Sequence, residues 1–175
     1  MEPWGAALFG DPCHECGFDW SIKPEDAVGW IAGLGSRLAE STTQANGSER
    51  DGKRSWSITE YVCHVGDNLR QWAERVQCAR LSRQFEVAGY DPDILAEARE
   101  YAALSLAAAA WSTGLAAAAW ANVLTAALDE EIELQHATRG AQRAEDIARN
   151  NCHDAYHHLW DVSEILKTAR RPKFG

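Results

Sequence analysis

Histidines are concentrated near the C-terminal end of the sequence, where residues 151–162 are NCHDAYHHLWDV. Three of the six histidines of the chain, His153, His157 and His158, fall within six positions. His153 and His157 are four residues apart, so on a helix their rings lie on one face, one turn apart. Two imidazoles at this spacing can share one metal ion, as in other helix-borne His-x-x-x-His sites.

Two ligands do not make a tight metal site, so a third ligand should come from a facing helix. His64 is the candidate, because it lies two turns into another predicted helix, at the edge of its apolar stripe. Three neutral imidazoles and one open position are typical of a catalytic metal site rather than a structural one. The competing interpretation is that these histidines are hydrogen-bonded residues at the boundary of the core. Spacing alone leaves both interpretations open.

His158 is turned by about 100° from His157 on the same helix. Asp154 and Asp161 lie one turn on either side of it, so we expect His158 to be a hydrogen-bonded boundary residue. Asp161 also follows His157 by four residues, so it could orient that ring as a hydrogen-bond acceptor.

The five cysteines are odd in number and scattered, which disfavours a disulfide framework and favours a reducing, cytoplasmic location. Cys13-His-Glu-Cys16 is a Cys-x-x-Cys segment, but a zinc knuckle needs a second pair of ligands and none remains unassigned. We therefore expect a tight turn packed over the domain. A zinc site that is incomplete, or shared between two chains, is the alternative. Cys63 and Cys152 each precede a proposed ligand and are expected to be small core residues.

Helical periodicity and capping signals predict four long helices and almost no strand. The predicted elements are helices over residues 23–40, 57–81, 105–128 and 143–170, a short helix near residues 92–102, and polar connections over residues 42–55 and 129–142. Ser57-Ile-Thr-Glu60 is a capping box flanked by the hydrophobic staple Trp56 and Tyr61, and Pro172 should end the last helix. The expected architecture is all-α: an up-and-down four-helix bundle over residues 23–171, preceded by an N-terminal extension over residues 1–22.

The charge of the chain argues against nucleic acid as a partner. A formal net charge of −9 over 175 residues lacks the clustered Lys and Arg that phosphate backbones require. Residues 1–10 lack the basic start and the long apolar run of a secretory signal. Residues 104–128 contain no charged side chain, but they are rich in alanine and lack a basic flank, so we expect a buried helix and no membrane span.

The alanine-rich helix carries two tryptophans at a spacing that points to a partner. Trp111 and Trp120 are nine residues apart, which places them on opposite sides of a helix. A helix that is apolar on both sides is buried on both sides or meets a second subunit. We therefore expect a homodimer, with residues 105–128 at its interface.

Two segments together, SWSITEYVCHVGDNL and HDAYHHLWDV, resemble the DinB-like family of four-helix bundles. That family includes the metal-binding domain of mycothiol-dependent maleylpyruvate isomerase. The resemblance covers residues 24–170, in helix order as well as in motif. It implies a DinB-like bundle in which His64, His153 and His157 form the metal triad.

The resemblance also implies a metal-dependent enzyme with a small-molecule substrate. Its leading activity would be that of a thiol S-transferase that uses mycothiol or a similar thiol as cosubstrate, or of a related isomerase or hydrolase. A divalent metal with an open position binds a thiol as the thiolate at neutral pH. Zinc is the first choice, with nickel or iron accepted by the same donors. The sequence has no separate thiol-recognition motif, and the alternatives are a non-catalytic metal- or ligand-binding stress protein and a helical interaction module without a metal.

Overall fold

The computed structural model describes residues 1–170, and helices dominate it. The helices are α1 (Ala6–Phe9), α2 (Pro24–Ala32), α3 (Leu34–Ser41), α4 (Ile58–Ser82), α5 (Pro92–Ala98), α6 (Leu106–Asp129) and α7 (Ala144–Ala169), with a 3-10 turn over Tyr101–Ala103 between α5 and α6. The all-α class and the additional short helix expected from the sequence are confirmed. Pro172, expected to end the last helix, lies outside the described residues.

The structure contains a small three-stranded sheet. Two of its strands begin in the segment 129–142, which the sequence predicts to be a polar connection. Its strands are β1 (Glu86–Val87), β2 (Glu133–His136) and β3 (Gly140–Arg143). Strand β2 pairs with β3 in an antiparallel hairpin and with β1 in parallel. Leu134 and His136 are buried while their neighbours are exposed, which is the alternation of a half-buried strand. Strand β2 is only four residues long, so its alternation of buried and exposed residues cannot be distinguished in the sequence from a polar loop.

The capping signals found in the sequence fix the beginning of α4, the helix that carries His64. The Ser57 amide donates to Glu60 Oε2 over 2.6 Å, and the Glu60 amide donates to Ser57 Oγ over 3.4 Å. The rings of Trp56 and Tyr61 meet with centroids 5.4 Å apart. Because these contacts satisfy amides that the first helical turn leaves free, they set the register of the whole helix.

The order of the helices around the bundle is not the simple one in which successive helices are neighbours. The first bundle helix is divided at Gly33 into α2 and α3, and both halves pack against α6 and α7. Helix α4 also packs against α6 and α7, so it lies across the bundle from α2 and α3. The long connection between α3 and α4 makes this crossing possible.

Helix α6 presents its two tryptophans in opposite directions, as the sequence predicts. Trp120 is fully buried, and its Nε1 donates to Asn151 Oδ1 over 2.7 Å. Trp111 is 71 % exposed. None of the helices in the described part of the chain is long and apolar enough to cross a membrane.

Residues 1–22 pack onto α7 instead of extending away from the bundle. Cys13 and Phe18 are buried in the main core. Phe18 and Trp20 both contact the His153 ring, with centroid distances of 5.3 and 4.6 Å. Arg149 Nε donates to the Ile22 carbonyl over 3.1 Å and holds the end of this segment in place.

Candidate metal centre

Helix α7 carries two interleaved pairs of potential metal ligands. Residues 153–158 are HDAYHH, so His153 and His157 form one pair at a spacing of four, and Asp154 and His158 form another. The two pairs differ by one residue, or about 100° around the helix. They therefore face different neighbours, and the packing of α7 decides what each pair meets.

His64 on α4 meets the pair formed by Asp154 and His158. One donor atom of each of these three residues lies within 4.8 Å of the other two. Asp154 Oδ1 lies 3.7 Å from His64 Nε2 and 3.6 Å from His158 Nε2. The carboxylate therefore stands between two imidazoles that come from different helices.

Neighbouring side chains hold two members of this group in orientation. Asn68 Nδ2 donates to Asp154 Oδ2 over 2.8 Å, which leaves Oδ1 turned toward the imidazoles. His158 Nδ1 lies 2.9 Å from Asp161 Oδ2, and Arg54 Nε donates to the other oxygen of Asp161. A carboxylate bonded to the far nitrogen of an imidazole fixes the direction in which the ring presents its second nitrogen.

The electrostatics of the group favour an anionic carboxylate. Burial by itself would raise the pKa of Asp154, but the charge of His158, the nearby His64 imidazole and the hydrogen bond from Asn68 outweigh it, and the pKa falls below its ordinary value. Burial would lower the pKa of His158, but the carboxylates of Asp154 and Asp161 raise it. His64 Nδ1 is buried and has no hydrogen-bond partner among residues 1–170. The hydrogen bonds of the described chain thus leave this ring nitrogen unsatisfied.

The group opens onto a cavity of about 330 Å³. Its walls include aromatic, charged and histidine side chains: Trp4, Phe9, His64, Trp72, Arg75, Tyr90, His136, Arg139, His153, Asp154, His157 and His158. Arg75 is held over the Trp72 ring at 4.9 Å and donates to the Ala88 carbonyl over 2.6 Å. A cavity of this size and mixed lining suits a small molecule.

His153 and His157 lie in a second group, together with Cys13 and Cys16. One donor atom of each of the four residues lies within 4.8 Å of the others. From the sequence, no second pair of ligands remains for the two cysteines, because His153 and His157 are predicted to share a metal site with His64. The structure places this pair with the cysteines instead, and it places His64 with Asp154 and His158.

Comparison with known proteins identifies the fold. No family model matches the chain, and no curated protein matches it in sequence. The chain is similar in structure to YfiT from Bacillus subtilis, with a TM-score of 0.69 and 15 % identity, over 82 % of this chain and 86 % of that one. The fold is DinB/YfiT-like. That protein is described as a probable metal-dependent hydrolase with an unusual four-helix bundle topology.

Within this DinB/YfiT-like fold, the predicted ligand His64 lies beside Asp154, which was not among the ligands predicted from the sequence. The available signal was the spacing of four between Asp154 and His158, which repeats that of the two histidines before them. The spacing along the sequence by itself predicts only a hydrogen bond between Asp154 and His158. Two imidazole nitrogens and one carboxylate oxygen are nevertheless a donor set that divalent metals accept.

Cys63 and Cys152 are core residues, as expected. They are 5 % and 0 % exposed, and neither belongs to either ligand group. Burial raises the pKa of Cys63 to about 11 and that of Cys152 to about 12. Both thiols are therefore protonated at neutral pH, which suits packing rather than nucleophilic chemistry.

Proposed function

We propose that the chain is a metal-dependent hydrolase whose divalent metal is held by His64, Asp154 and His158. The observation that carries this proposal is the position of Asp154 Oδ1, within 3.7 Å of both imidazoles while Asn68 holds the other oxygen. Two imidazoles and one carboxylate, with a fourth position left open, are typical of hydrolytic zinc sites. The hydrolase activity attributed to YfiT supports the same assignment.

The surrounding residues would have distinct roles. When bound, the metal would supply Lewis acidity and lower the pKa of a water molecule in the site. Asn68 and Asp161 keep Asp154 and His158 in the orientation that ligation requires. Arg75 and Arg139 line the same cavity and favour a small substrate with a carboxylate or another anionic group. Zinc is the metal we propose, and nickel or iron would be accepted by the same donors.

Thiol S-transfer is the second candidate activity, because the same donors suit a metal that binds thiolate. The residues of the described chain that line the cavity include no cysteine. A nucleophilic thiol would therefore have to be a cosubstrate, such as mycothiol or a related low-molecular-weight thiol. A protein that binds metal without turnover is the third candidate.

Metal analysis and activity measurements on the same variants separate these candidates. His64→Ala, Asp154→Ala and His158→Ala should each lose one metal equivalent per chain together with any activity, whereas His14→Ala, at an exposed histidine, should keep both. Hydrolysis of small esters and amides should occur without added thiol. Turnover that needs a thiol would favour the transferase, and metal binding without turnover would favour the binding protein. Unchanged metal content in all three variants would refute the proposed centre.

A further inference from the structure

A second set of ligands lies outside the proposed catalytic centre. Cys13 and Cys16 come from the N-terminal segment, and His153 and His157 come from α7, about 140 positions later in the chain. One donor atom of each lies within 4.8 Å of the other three. In a tetrahedral zinc site with bonds of about 2.0–2.3 Å, neighbouring donors lie roughly 3.3–3.8 Å apart. The 3.9 Å between Cys13 Sγ and His157 Nδ1 is already close to that range.

The backbone around the cysteines forms a tight knuckle. The Gly17 amide donates to the Cys13 carbonyl over 2.9 Å, and the Cys13 amide donates to the Phe18 carbonyl over 2.9 Å. Gly17 has a φ of +75°, a conformation that favours glycine. The turn closes the Cys-x-x-Cys-Gly segment on itself and directs both thiols toward α7. A metal is not needed to explain the turn, but the turn supplies two converging sulfur donors.

The histidines of this group supply the independent observation that points to a ligand. His153 is 3 % exposed, and its Nε2 is buried with no hydrogen-bond partner in the described chain. Such an orphaned nitrogen carries a free-energy cost that a bound cation would remove.

His157 places one ring nitrogen beside Cys13 and the other near two carboxylates. Its Nδ1 faces Cys13 Sγ, while its Nε2 lies 3.3 Å from Glu15 Oε2 and 3.8 Å from Asp161 Oδ2. Metal-binding histidines commonly donate their second ring N–H to a carboxylate, which fixes the tautomer and the ring direction. Glu15 lies between the two cysteines in sequence, so the knuckle provides this acceptor as well.

We propose that Cys13, Cys16, His153 and His157 form a structural zinc site that fastens the N-terminal segment to α7. Two thiolates and two neutral imidazoles balance the charge of Zn²⁺ and fill its four positions, which is the pattern of a closed structural site. Binding of Zn²⁺ to Cys13 and Cys16 releases the two thiol protons. The site does not depend on the hydrolase assignment, because it shares no ligand with His64, Asp154 and His158.

The proposed zinc has a consequence for the cavity. Trp4, Gly5, Leu8 and Phe9 precede the knuckle and form part of the wall of the cavity beside His64. Anchoring Cys13 and Cys16 would therefore hold that wall in place. Loss of the structural zinc should loosen the wall without removing a ligand of the catalytic centre.

Cobalt(II) substitution tests the proposal on the intact chain. Metal-stripped protein titrated with Co²⁺ should bind two equivalents and show thiolate-to-cobalt charge-transfer absorption. His64→Ala should keep this absorption and lose the other equivalent, whereas Cys13→Ser/Cys16→Ser should lose the absorption and one equivalent. Cys16→His keeps Cys13 and replaces the second thiol by an imidazole. It should bind both equivalents of Co²⁺ and show weaker thiolate-to-cobalt absorption than the parent protein. Cys78→Ser, at an exposed cysteine, is the matched control and should behave as the parent protein.

Alkylation provides a readout that does not depend on the folding of any variant. With zinc present, iodoacetamide should modify Cys78 and spare Cys13 and Cys16 until a chelator is added. The proposal is overturned if the unaltered chain shows no thiolate-to-cobalt absorption, or if Cys13 and Cys16 react as fast as Cys78. Retention of both zinc equivalents by Cys13→Ser/Cys16→Ser would also overturn it, as would a Cys13–Cys16 disulfide that persists under reducing conditions.

Discussion

Asn68 Nδ2 donates a hydrogen bond to Asp154 Oδ2 over 2.8 Å, from α4 to α7. Asn68 follows His64 by four residues, so both side chains face α7 from the same side of α4. The bond engages one oxygen of the carboxylate and leaves Oδ1 facing the two imidazoles. Asn68 is thus a positioning residue for the proposed metal centre.

We predict that Asn68→Ala weakens metal binding at this centre by about 10–100-fold, the usual effect of losing a partner of a metal ligand. The affinity is measured by competition with a chromophoric chelator, in the Cys13→Ser/Cys16→Ser background so that one site is observed. Asn122→Ala, at an exposed asparagine on α6, is the matched control. Equal affinities for the two variants would show that the bond has no role in metal binding.

The buried bond between Trp120 and Asn151 should contribute strongly to stability. Trp120→Phe removes volume from a fully buried site and leaves Asn151 Oδ1 without its donor. We expect the free energy of unfolding to fall by about 2–4 kcal/mol. Leu81→Ala, at a leucine of α4 that is 72 % exposed, should change it by less than about 0.5 kcal/mol. Urea denaturation of both variants provides the comparison, and similar losses would contradict the assigned burial.

Close packing of α4 on α6 depends on Gly66. A Cβ at this position would lie 2.5 Å from Thr113 Oγ1 and 3.3 Å from Thr113 Cα. Thr113 cannot turn away freely, because its hydroxyl donates to the Val62 carbonyl over 2.9 Å. Gly66→Ala should therefore destabilise the protein by about 1–3 kcal/mol.

Gly29→Ala on α2 is the matched control for this substitution, because no heavy atom lies within 4 Å of its added Cβ. Replacing glycine by alanine inside an unhindered helix should stabilise it by about 0.5–1 kcal/mol. Thermal unfolding should therefore shift in opposite directions for the two variants. If both substitutions raised the unfolding temperature, α4 and α6 would be able to separate without a cost in stability.

The homodimer predicted from the sequence would use the outer side of α6 as its interface. Trp111 and Leu115 are one turn apart and are 71 % and 54 % exposed. We predict that the protein sediments as a dimer at micromolar concentration and that Trp111→Glu converts it to a monomer, because a charge cannot be buried in an apolar interface without a partner. Leu81→Glu, at an exposed leucine on α4, should leave the dimer intact. A monomeric unaltered chain would contradict the prediction.

The starting points of the long helices α4, α6 and α7 can be predicted from the sequence to within one residue. The capping box at Ser57 and Glu60 and the opposed tryptophans of α6 are both found in the structure. These features depend on residues within a few positions of one another, so their physics is contained in a short segment. The sheet was not found because the pairing of β1 with β2 joins residues about 50 positions apart.

Which candidate ligands lie together depends on the tertiary structure and not on the local sequence. Along α7, His153 with His157 and Asp154 with His158 have the same spacing, so the sequence offers two equivalent pairs. The rotation of α7 in the bundle selects between them: it turns Asp154 and His158 toward His64, and His153 and His157 toward Cys13 and Cys16. That rotation is the summed result of packing against α2, α4 and the N-terminal segment. A difference of one residue, or about 100°, is therefore beyond what a local pattern can determine.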